Sequence, residues 1–216
     1  MPTRASRKSR SGAAGLRKSG YHHGNLKEAL VSAARVLILE KGPHGFSLIE
    51  AARLADVSPA APYRHFKDRV ALLAEVARRG YDLFGEKLER AWKNGEPDRV
   101  TAFKRLGHAY LDFAQAERAY YAAMFQAGLS AASDPALQAA ADRAYQAMAS
   151  VTANLSGANA GGQAVPPDVI FFHIWSLAHG AATLHRGEAD AAPALSAHQM
   201  LDLGVELYLK GLGITG

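Results

Sequence analysis

The chain has 216 residues, 49% of them apolar, which suits one mid-sized domain or a small domain joined to a larger one. It contains no cysteine, so disulfide bonds, thiolate metal sites and cysteine nucleophiles are excluded. Residues 1–70 carry 13 Lys and Arg against 5 Asp and Glu, a net charge of +8, whereas residues 71–216 carry a net charge of −3. A basic first third on a mildly acidic body indicates either a nucleic-acid footprint or a solubilising tail.

Residues 1–20 include six Lys and Arg and no acidic residue. This segment lacks the apolar surface to offset the entropy of ordering, so it is predicted to be a disordered basic arm; whether it contacts DNA stays open. No apolar stretch follows the basic residues closely enough for a signal peptide, and the most apolar run, 169–184, is short for a membrane span of about 20 residues. A cytoplasmic protein without a membrane partner is expected.

From Leu26 onward apolar residues recur at helical spacing, which predicts an all-α fold of about nine helices. Two helix starts show a capping box, in which a polar N-cap residue is followed three residues later by Glu: Asn25 with Glu28, and Ser47 with Glu50. The expected helices cover residues 26–40, 48–54, a short stretch after Ser58, 68–84, 98–115, 117–126, 135–154, 167–186 and 197–212.

Residues 47–66 have the pattern of a helix-turn-helix, in which one short helix braces against the DNA backbone and the next lies in the major groove. Asp56 in the turn tolerates a left-handed backbone. Ser58 is the expected N-cap of the second helix, and Pro59 suits its first position. Pro62, at the edge of the first turn, is expected to cost a hydrogen bond.

The side chains of this second helix suit two kinds of DNA contact. Tyr63, His65 and Lys67 can donate hydrogen bonds to phosphates, which sets the register without reading sequence; a core position is the alternative for Tyr63. Arg64 can donate two hydrogen bonds to a guanine edge, whereas residues 59–62 offer none to bases, so discrimination would fall on Arg64, thymine methyl groups and DNA shape. Phe66 is expected in the core.

The segment that begins Tyr21-His22-His23-Gly24-Asn25-Leu26 and continues through residues 57–73 resembles the DNA-binding domain of the tetracycline-repressor (TetR) family. Its sharpest part is Tyr, a variable residue, His and Phe at 63–66, followed by Lys-Asp and a pair of leucines. The resemblance implies four parts: an arm at 1–20, a helix-turn-helix domain at 21–67, a connecting helix at 68–84, and a ligand-binding and dimerisation domain at 85–216.

The same resemblance implies which residues meet DNA. Hydroxyl, imidazole and cationic groups would hold phosphates, and small residues with Arg64 would face bases. Two departures from the family pattern are Ile49, where a polar or basic residue is common, and Asp56, where glycine is common. The implied DNA-binding residues are Ser47, Ser58, Pro59, Ala60, Ala61, Tyr63, Arg64, His65, Lys67 and Arg69.

Trp175, His179 and Gly180 resemble a C-terminal subclass of the family named for Trp and His-Gly. Trp175 and His179 share a helix face at i, i+4, although a core pair is at least as good an interpretation. The resemblance implies a pocket among the middle helices for a small, mostly apolar or aromatic effector. The candidate ligand-binding residues, each of which is more often core than pocket, are Phe113, Tyr121, Phe125, Phe172, Trp175 and His179.

The resemblance also implies a homodimer through the last two helices, whose two-fold symmetry would match a palindromic operator in double-stranded DNA. The small and apolar residues expected at that interface are Ala178, Ala181, Ala182, Leu201, Gly204, Val205 and Leu209.

Other patterns carry no chemistry. Residues 211–216 spell G-x-G-x-x-G, but a helix rather than a strand precedes them. His173, His179 and His185 point about 120° apart on a helix, so they cannot converge on one metal ion. The sequence therefore predicts a ligand-responsive dimeric repressor. It predicts neither enzymatic activity nor a bound cofactor or metal ion. The alternatives are a constitutive DNA-binding dimer and a small helical enzyme. An enclosed cavity in the body would favour the ligand-responsive regulator over the constitutive dimer, and an acid, a base and a nucleophile lining that cavity would indicate the enzyme.

Overall fold

The computed structural model describes residues 26–152, 157–158, 161–184 and 195–214. The predicted basic arm, the Asn25 cap and residues 21–25 of the TetR-like segment lie outside these ranges. Within them the fold is helical, as predicted. The α-helices are α1 (Leu26–Lys41), α2 (Leu48–Leu54), α3 (Arg69–Trp92), α4 (Arg99–Ala116), α5 (Arg118–Phe125), α6 (Pro135–Thr152), α7 (Pro167–Leu184) and α8 (Ala197–Gly211), with short 3₁₀ helices at Ala61–Arg64, Lys93–Gly95 and Ala131–Ser133.

Helix α1 ends, and helix α2 begins, as their local signals predict. The α1 helix buries the predicted face, which includes Leu30 and Leu37, and it stops where Gly42 adopts a φ of 76°. At the start of α2 the Ser47 Oγ accepts a hydrogen bond from the Glu50 N–H (3.2 Å), and Glu50 Oε2 accepts one from the Ser47 N–H (2.8 Å). The predicted capping box is therefore confirmed, which makes the loop before α2 well defined.

We refer to the part of the chain before α3 as the head and to the part from α4 onward as the body. The third element of the head is a single 3₁₀ turn, Ala61–Arg64, instead of a helix that starts at Pro59. The residue that caps it is Ala60, and no side chain supplies a cap hydrogen bond. The expected N-cap role of Ser58 and the expected first helical position of Pro59 are thus both wrong.

Pro62 explains this difference. It has no N–H to donate to the Ser58 carbonyl four residues earlier, and its ring would clash with that carbonyl in an α-helix. The Ala61 N–H donates to Ser58 O instead (3.0 Å), and both His65 and Phe66 donate to Pro62 O at 2.9 Å. Pro62 and Phe66 are buried, so this tight turn is anchored in the core of the head.

The α3 helix continues to Trp92, well beyond the predicted end near residue 84, because Phe84 and Leu88 extend its buried face. It ends where Lys93 and Asn94 adopt left-handed φ values of 46° and 55°. The helix packs on α1 at its start and on α4, α5 and α6 farther along, so it belongs to both head and body.

The body is built around α3. Helices α4, α5 and α6 pack on it, α7 packs on α4 and α6, and α8 packs on α4 and α7. The largest fully buried side chains include Phe84, Phe103, Phe113 and Tyr121. Two short antiparallel strands, β1 (Gly157–Ala158) and β2 (Ala164–Val165), pair Gly157 with Val165, which is a small departure from the predicted all-helical pattern.

Helices α3 and α5 approach each other closely at Gly80. A Cβ atom at this position would lie 2.7 Å from Met124 Sδ and 3.1 Å from Tyr120 Cβ. Gly85, five residues farther along α3, has more room, since its Cβ would lie 3.6 Å from Ala144 Cα.

Gly80→Ala is therefore expected to lower the free energy of unfolding by up to about 2 kcal/mol. Overpacking typically costs about 1–3 kcal/mol, and alanine's better helix propensity returns at most about 1 kcal/mol. Urea unfolding followed by circular dichroism measures the change. The matched variant Gly85→Ala should be as stable as the native chain or more so, and equal stability of the two variants would contradict the close helix contact.

Candidate nucleic-acid interface and body cavity

The residues predicted to contact DNA are mostly on the surface of the head. Pro62 is buried, so residues 59–62 do not form one continuous exposed face. Exposed positions are Ser47, Ser58, Pro59, Ala60, Tyr63, Arg64, His65 and Lys67, whereas Ala61 and Arg69 are partly buried.

Tyr63 is 56% exposed, so the alternative core position for this side chain is wrong. Its neighbours Arg64 and Lys67 are also exposed, and among the described residues neither forms an ion pair with a carboxylate. A tyrosine hydroxyl, an arginine and a lysine that have no acidic partner can donate hydrogen bonds to DNA phosphates and to the edges of guanine bases. The 3₁₀ turn thus presents a positively charged, hydrogen-bonding edge to solvent.

Ser47 and Arg69 are engaged within the head. The Ser47 hydroxyl donates to Glu50 Oε2 (2.8 Å), and Lys41 Nζ lies 2.6 Å from Glu50 Oε1. Hydrogen bonds from Lys41 and Ser47 lower the pKa of Glu50 to about 2. Arg69 Nη1 donates to the Pro43 carbonyl (2.7 Å), which ties the start of α3 to the loop between α1 and α2. Both side chains brace the surface that Tyr63 and Arg64 occupy.

A largely buried carboxylate on α3 joins several cations. The Glu75 carboxylate lies 3.0 Å from Lys27 Nζ, 2.9 Å from Arg78 Nε and 2.8 Å from Arg79 Nε. Burial alone would raise the pKa of Glu75, but hydrogen bonds from Arg78, Arg79 and Lys27 outweigh burial and lower it to about 2. Glu75 therefore stays ionised and holds these cations in place.

The contacts continue in both directions from these arginines. Arg79 Nη2 lies 2.5 Å from Glu28 Oε1 on α1, and Arg78 Nη1 lies 2.7 Å from Asp82 Oδ2. Asp82 in turn lies 2.6 Å from Arg143 Nη2 on α6. A continuous set of ion pairs thus links the head to the body across α3. We refer to it as the Glu75 cluster, which comprises Lys27, Glu28, Glu75, Arg78, Arg79, Asp82 and Arg143.

A second set of contacts joins the head to α5 and to the loop that follows it. Arg35 on α1 pairs with Glu117 (3.3 Å), and its guanidinium lies 4.3 Å from the centroid of the Tyr120 ring. His44 Nε2 lies 3.3 Å from the Gln126 carbonyl. The head is therefore attached to the body on two sides.

Four of the six predicted ligand-binding residues lie together in the body. The His179 ring stacks on Tyr121 (5.8 Å between centroids) and meets the edges of Phe125 (5.2 Å) and Trp175 (6.2 Å). His179 Nδ1 lies 2.7 Å from the Tyr110 hydroxyl and 3.1 Å from the Tyr121 hydroxyl. This arrangement is a packed aromatic cluster with an internal hydrogen-bond network.

Of the other two predicted residues, Phe113 lies apart from this cluster, whereas the Phe172 ring lies 6.1 Å from the Trp175 ring at the edge of the cluster. Phe113 is fully buried and packs on Phe84 with ring centroids 5.0 Å apart. Phe172 is 45% exposed on the outer side of α7. The six aromatic candidates therefore do not surround one site.

A narrow cavity of about 30 Å³ lies between α3, α4, α6 and α7. This volume holds about one or two water molecules and is far below the roughly 300–1,000 Å³ of typical ligand sites. Trp175 is the one predicted ligand-binding residue on the wall of this cavity. The other residues of the wall were not predicted from the sequence. The wall includes Leu88, Phe103, Tyr110, Met148, Phe171 and Trp175.

The expected interface residues on α7 and α8 face the wrong way. All except Gly204 are buried inside the protomer, because α7 and α8 use them to pack on α4 and on each other. The solvent-facing side of α7 and α8 carries different apolar residues. Leu177 on α7 extends this side towards α8, since its Cδ1 atom lies 3.5 Å from where a Cβ atom would be if Gly204 were alanine. This α7/α8 apolar face comprises Val169, Phe172, Leu177, Leu184, Leu203 and Leu207.

Within the described ranges, no group of three or more His, Asp or Glu side chains is arranged to hold a metal ion. None of the described helices has the length and apolar character to cross a membrane.

Comparison with known proteins identifies the fold. Residues 30–76 match the sequence model of bacterial regulatory proteins of the tetR family, and residues 103–208 match that of the tetracyclin repressor-like C-terminal domain. The chain belongs to the TetR family. Members of this family are DNA-binding transcription regulators rather than enzymes, in agreement with the sequence analysis. The narrower Trp/His-Gly subclass stays a prediction.

Relatives agree with this assignment. An uncharacterised helix-turn-helix transcriptional regulator, YobS of Bacillus subtilis, is 30% identical over 100 residues, which are 46% of this chain and 51% of YobS. The match thus spans about half the length of that relative. A solved protein of unknown function from Rhodococcus sp. RHA1 is 30% identical, with a TM-score of 0.72 over 90% of this chain and 99% of its own. The TetR-family regulator PfmR of Thermus thermophilus shares the fold, with 19% identity and a TM-score of 0.63 over 85% and 98% of the two chains.

Replacing Arg64 with Ala is expected to relax sequence preference, if its guanidinium reads a base as predicted, at a cost of about 1–3 kcal/mol for the preferred site. Lys67→Ala should instead weaken all sites alike and reduce the salt dependence of binding. Competitive binding to a pool of random duplexes, followed by sequencing, measures both effects. An Arg64→Ala protein with unchanged preference would show that another residue reads the bases.

Replacing Glu75 with Gln should lower the free energy of unfolding at pH 7 by about 2 kcal/mol, because Lys27, Arg78 and Arg79 lose a shared counter-charge that is itself largely buried. The pKa of Glu75 is lowered on folding, so its contribution is present above about pH 4.5 and is lost as the pH falls towards 2. The difference between native chain and variant should therefore shrink between pH 6 and pH 3 in urea unfolding. The control Glu86→Gln removes an exposed pair with Arg90 and should change stability by less than about 0.5 kcal/mol; a pH-independent difference for Glu75→Gln would contradict this account.

Proposed function

We propose that the chain binds a palindromic operator in the cytoplasm as a homodimer, represses transcription there, and is released by a small, mostly apolar effector. The observation that carries this proposal is the exposed edge at Tyr63, Arg64 and Lys67 on a head that α3 joins to the body.

The head would meet DNA through two groups of residues. Tyr63, His65 and Lys67 would donate to phosphates, and Arg64 would donate to a guanine. Small residues at the start of the turn let the backbone approach the groove and contact thymine methyl groups. Ser47 and Arg69, whose side chains are bonded inside the head, would act mainly by holding these groups in place. These small residues, which lead into and begin the 3₁₀ turn, are Ser58, Pro59, Ala60 and Ala61.

The α7/α8 apolar face would form the dimer interface. Members of the TetR family typically dimerise. On α8, Leu203 and Leu207 are 50% and 62% exposed and share one side at i, i+4. Large apolar side chains grouped on one exposed face indicate a contact surface. A two-fold axis through this face would place one head on each half of a palindromic operator.

The effector would act by opening the body cavity. Met148 on α6 and Leu88 on α3 line the cavity, and Arg143 on α6 pairs with Asp82 on α3. A ligand that separates these walls would displace α6 and α3 together, and the Glu75 cluster would pass the displacement to α1. The effect is a population shift between a DNA-competent and a DNA-incompetent arrangement of the heads.

The small size of the cavity favours one alternative, a constitutive DNA-binding dimer without an effector. Fluorescence anisotropy of a labelled operator, measured with and without apolar compounds that bind the body, separates the two. If operator affinity is unchanged by every compound that binds, the switch fails and the constitutive alternative stands.

The double variant Leu203→Glu/Leu207→Glu is expected to be a folded monomer with operator affinity reduced at least about a hundredfold. Both side chains are exposed on the protomer, so charge there should disrupt the interface and leave helical content intact. Sedimentation velocity gives the oligomeric state and anisotropy gives the affinity.

Leu39→Glu is the matched control for oligomeric state, because Leu39 is 56% exposed on α1 and lies outside the α7/α8 apolar face. It should leave the dimer intact. A Leu203→Glu/Leu207→Glu protein that remains a dimer would place the interface elsewhere.

A further inference from the structure

The wall of the body cavity contains a polar group with no partner. Among the described residues, two buried side-chain nitrogen atoms lack a hydrogen bond, Arg35 Nε and Trp175 Nε1. Arg35 uses its other nitrogen atoms for Glu117 and lies away from the cavity. Trp175 lines the cavity, and its indole N–H is a donor only. A buried donor without a partner loses about 1–3 kcal/mol relative to one that is satisfied.

The other polar side chains on the wall are already bonded. The Tyr110 hydroxyl lies 2.7 Å from His179 Nδ1, and the Thr152 hydroxyl donates to the Ala149 carbonyl at 3.0 Å. None of the residues that line the cavity carries a charge. The remaining wall is aliphatic, aromatic or thioether surface. Trp175 Nε1 is therefore the one unsatisfied side-chain nitrogen among the residues of the cavity wall. It is buried in the structure as it stands, so an acceptor reaches it only when side chains of the wall move.

We propose that the effector is a neutral, mainly apolar compound with a hydrogen-bond acceptor, such as a ketone, ester or ether oxygen, which accepts from Trp175 Nε1. This inference rests on the proposed role of the cavity as effector site. It narrows the effector from apolar molecules in general to those that carry one acceptor.

Two other classes of compound fit the wall less well. A carboxylate or ammonium group would lose its hydration without a counter-ion, which is strongly unfavourable in such surroundings. A pure hydrocarbon would leave the Trp175 N–H unpaired, and so would forgo the hydrogen bond. A neutral acceptor satisfies the donor and brings no charge into the cavity.

Part of the room for such a compound comes from side chains that can move, in addition to the separation of the helices. Met148 has an unbranched side chain that adapts readily to new shapes. Phe171 stacks on Trp175 with ring centroids 6.0 Å apart and an interplanar angle of 21°. A flat group that slides along this pair, with Met148 turned aside, would place its oxygen near the indole N–H.

Three compounds of nearly equal shape test the proposal on the full-length chain. Acetophenone has a carbonyl acceptor, α-methylstyrene has a methylene group in place of that oxygen, and benzoate carries a charge. Isothermal titration gives their affinities. Heteronuclear NMR gives the indole N–H signals of Trp92 and Trp175, the two tryptophans of the chain.

The native chain is expected to bind acetophenone about tenfold more tightly than α-methylstyrene, as one hydrogen bond allows, and to bind benzoate weakest. The Trp175 indole proton should move downfield with acetophenone and not with α-methylstyrene. In Trp175→Phe, which keeps an aromatic ring beside Phe171, the two neutral compounds should bind equally. Trp92→Phe is the matched control, because Trp92 does not line the cavity and contacts the wall only from behind Phe103, and it should keep the tenfold preference.

Equal affinity for the two neutral compounds, tighter binding of benzoate, an unmoved Trp175 signal, or no binding of any of the three would overturn the proposal. The NMR shift on the native chain decides the matter if Trp175→Phe does not fold. A compound that binds with the predicted preference and leaves operator affinity unchanged would refute the switch and leave this ligand chemistry standing. Release of the operator by compounds whose affinity does not depend on Trp175 would support the switch and refute this ligand chemistry.

Discussion

Helix α3 belongs to both the head and the body, and the position of the exposed edge at Tyr63, Arg64 and Lys67 depends on how this one helix is held. Its 24 residues span about 36 Å. At its start, Arg69 holds the Pro43 carbonyl; along its middle, Glu75 binds cations from α1 and α3; near its end, Leu88 forms part of the cavity wall. Because Glu75 is ionised and contacts cations from α1 and α3, removing its charge would break the ion pair between Lys27 and α3 and would remove the link between Arg78 and Arg79, so the head and body are coupled by electrostatics as well as by packing.

This arrangement gives a physical basis for regulation by a ligand. The cavity is too small for an effector in the structure as it stands, so binding requires α6 or α7 to move. Movement of α6 acts on Asp82 through Arg143, and Asp82 is in the same set of ion pairs as Glu28 on α1. A ligand would have to bind the open arrangement more tightly than the closed one to shift the equilibrium.

Local signals in the sequence predicted much of the fold. The Ser47–Glu50 capping box, the left-handed Asp56 and the end of α1 at Gly42 all depend on neighbouring residues, and all three are confirmed. What failed depended on long-range packing or on a single side chain. Pro62 replaced an α-helix with a 3₁₀ turn, and the extension of α3 required the body core around Leu88. Helical spacing showed that α7 and α8 have apolar residues on more than one side, but not which side faces solvent. The cavity likewise joins four helices, so residues such as Tyr110 and Met148 could not be assigned to it from spacing alone.

The central claim is sequence-specific, two-fold binding of DNA by the exposed edge at Tyr63–Lys67. Incubating the purified chain with sheared genomic DNA from its source, and sequencing the fragments that remain bound at physiological salt, tests it most directly. The account predicts that bound fragments share an inverted repeat, with the two halves related by the symmetry of the dimer. Fragments that share no sequence, or that contain a single unrepeated half-site, would contradict it.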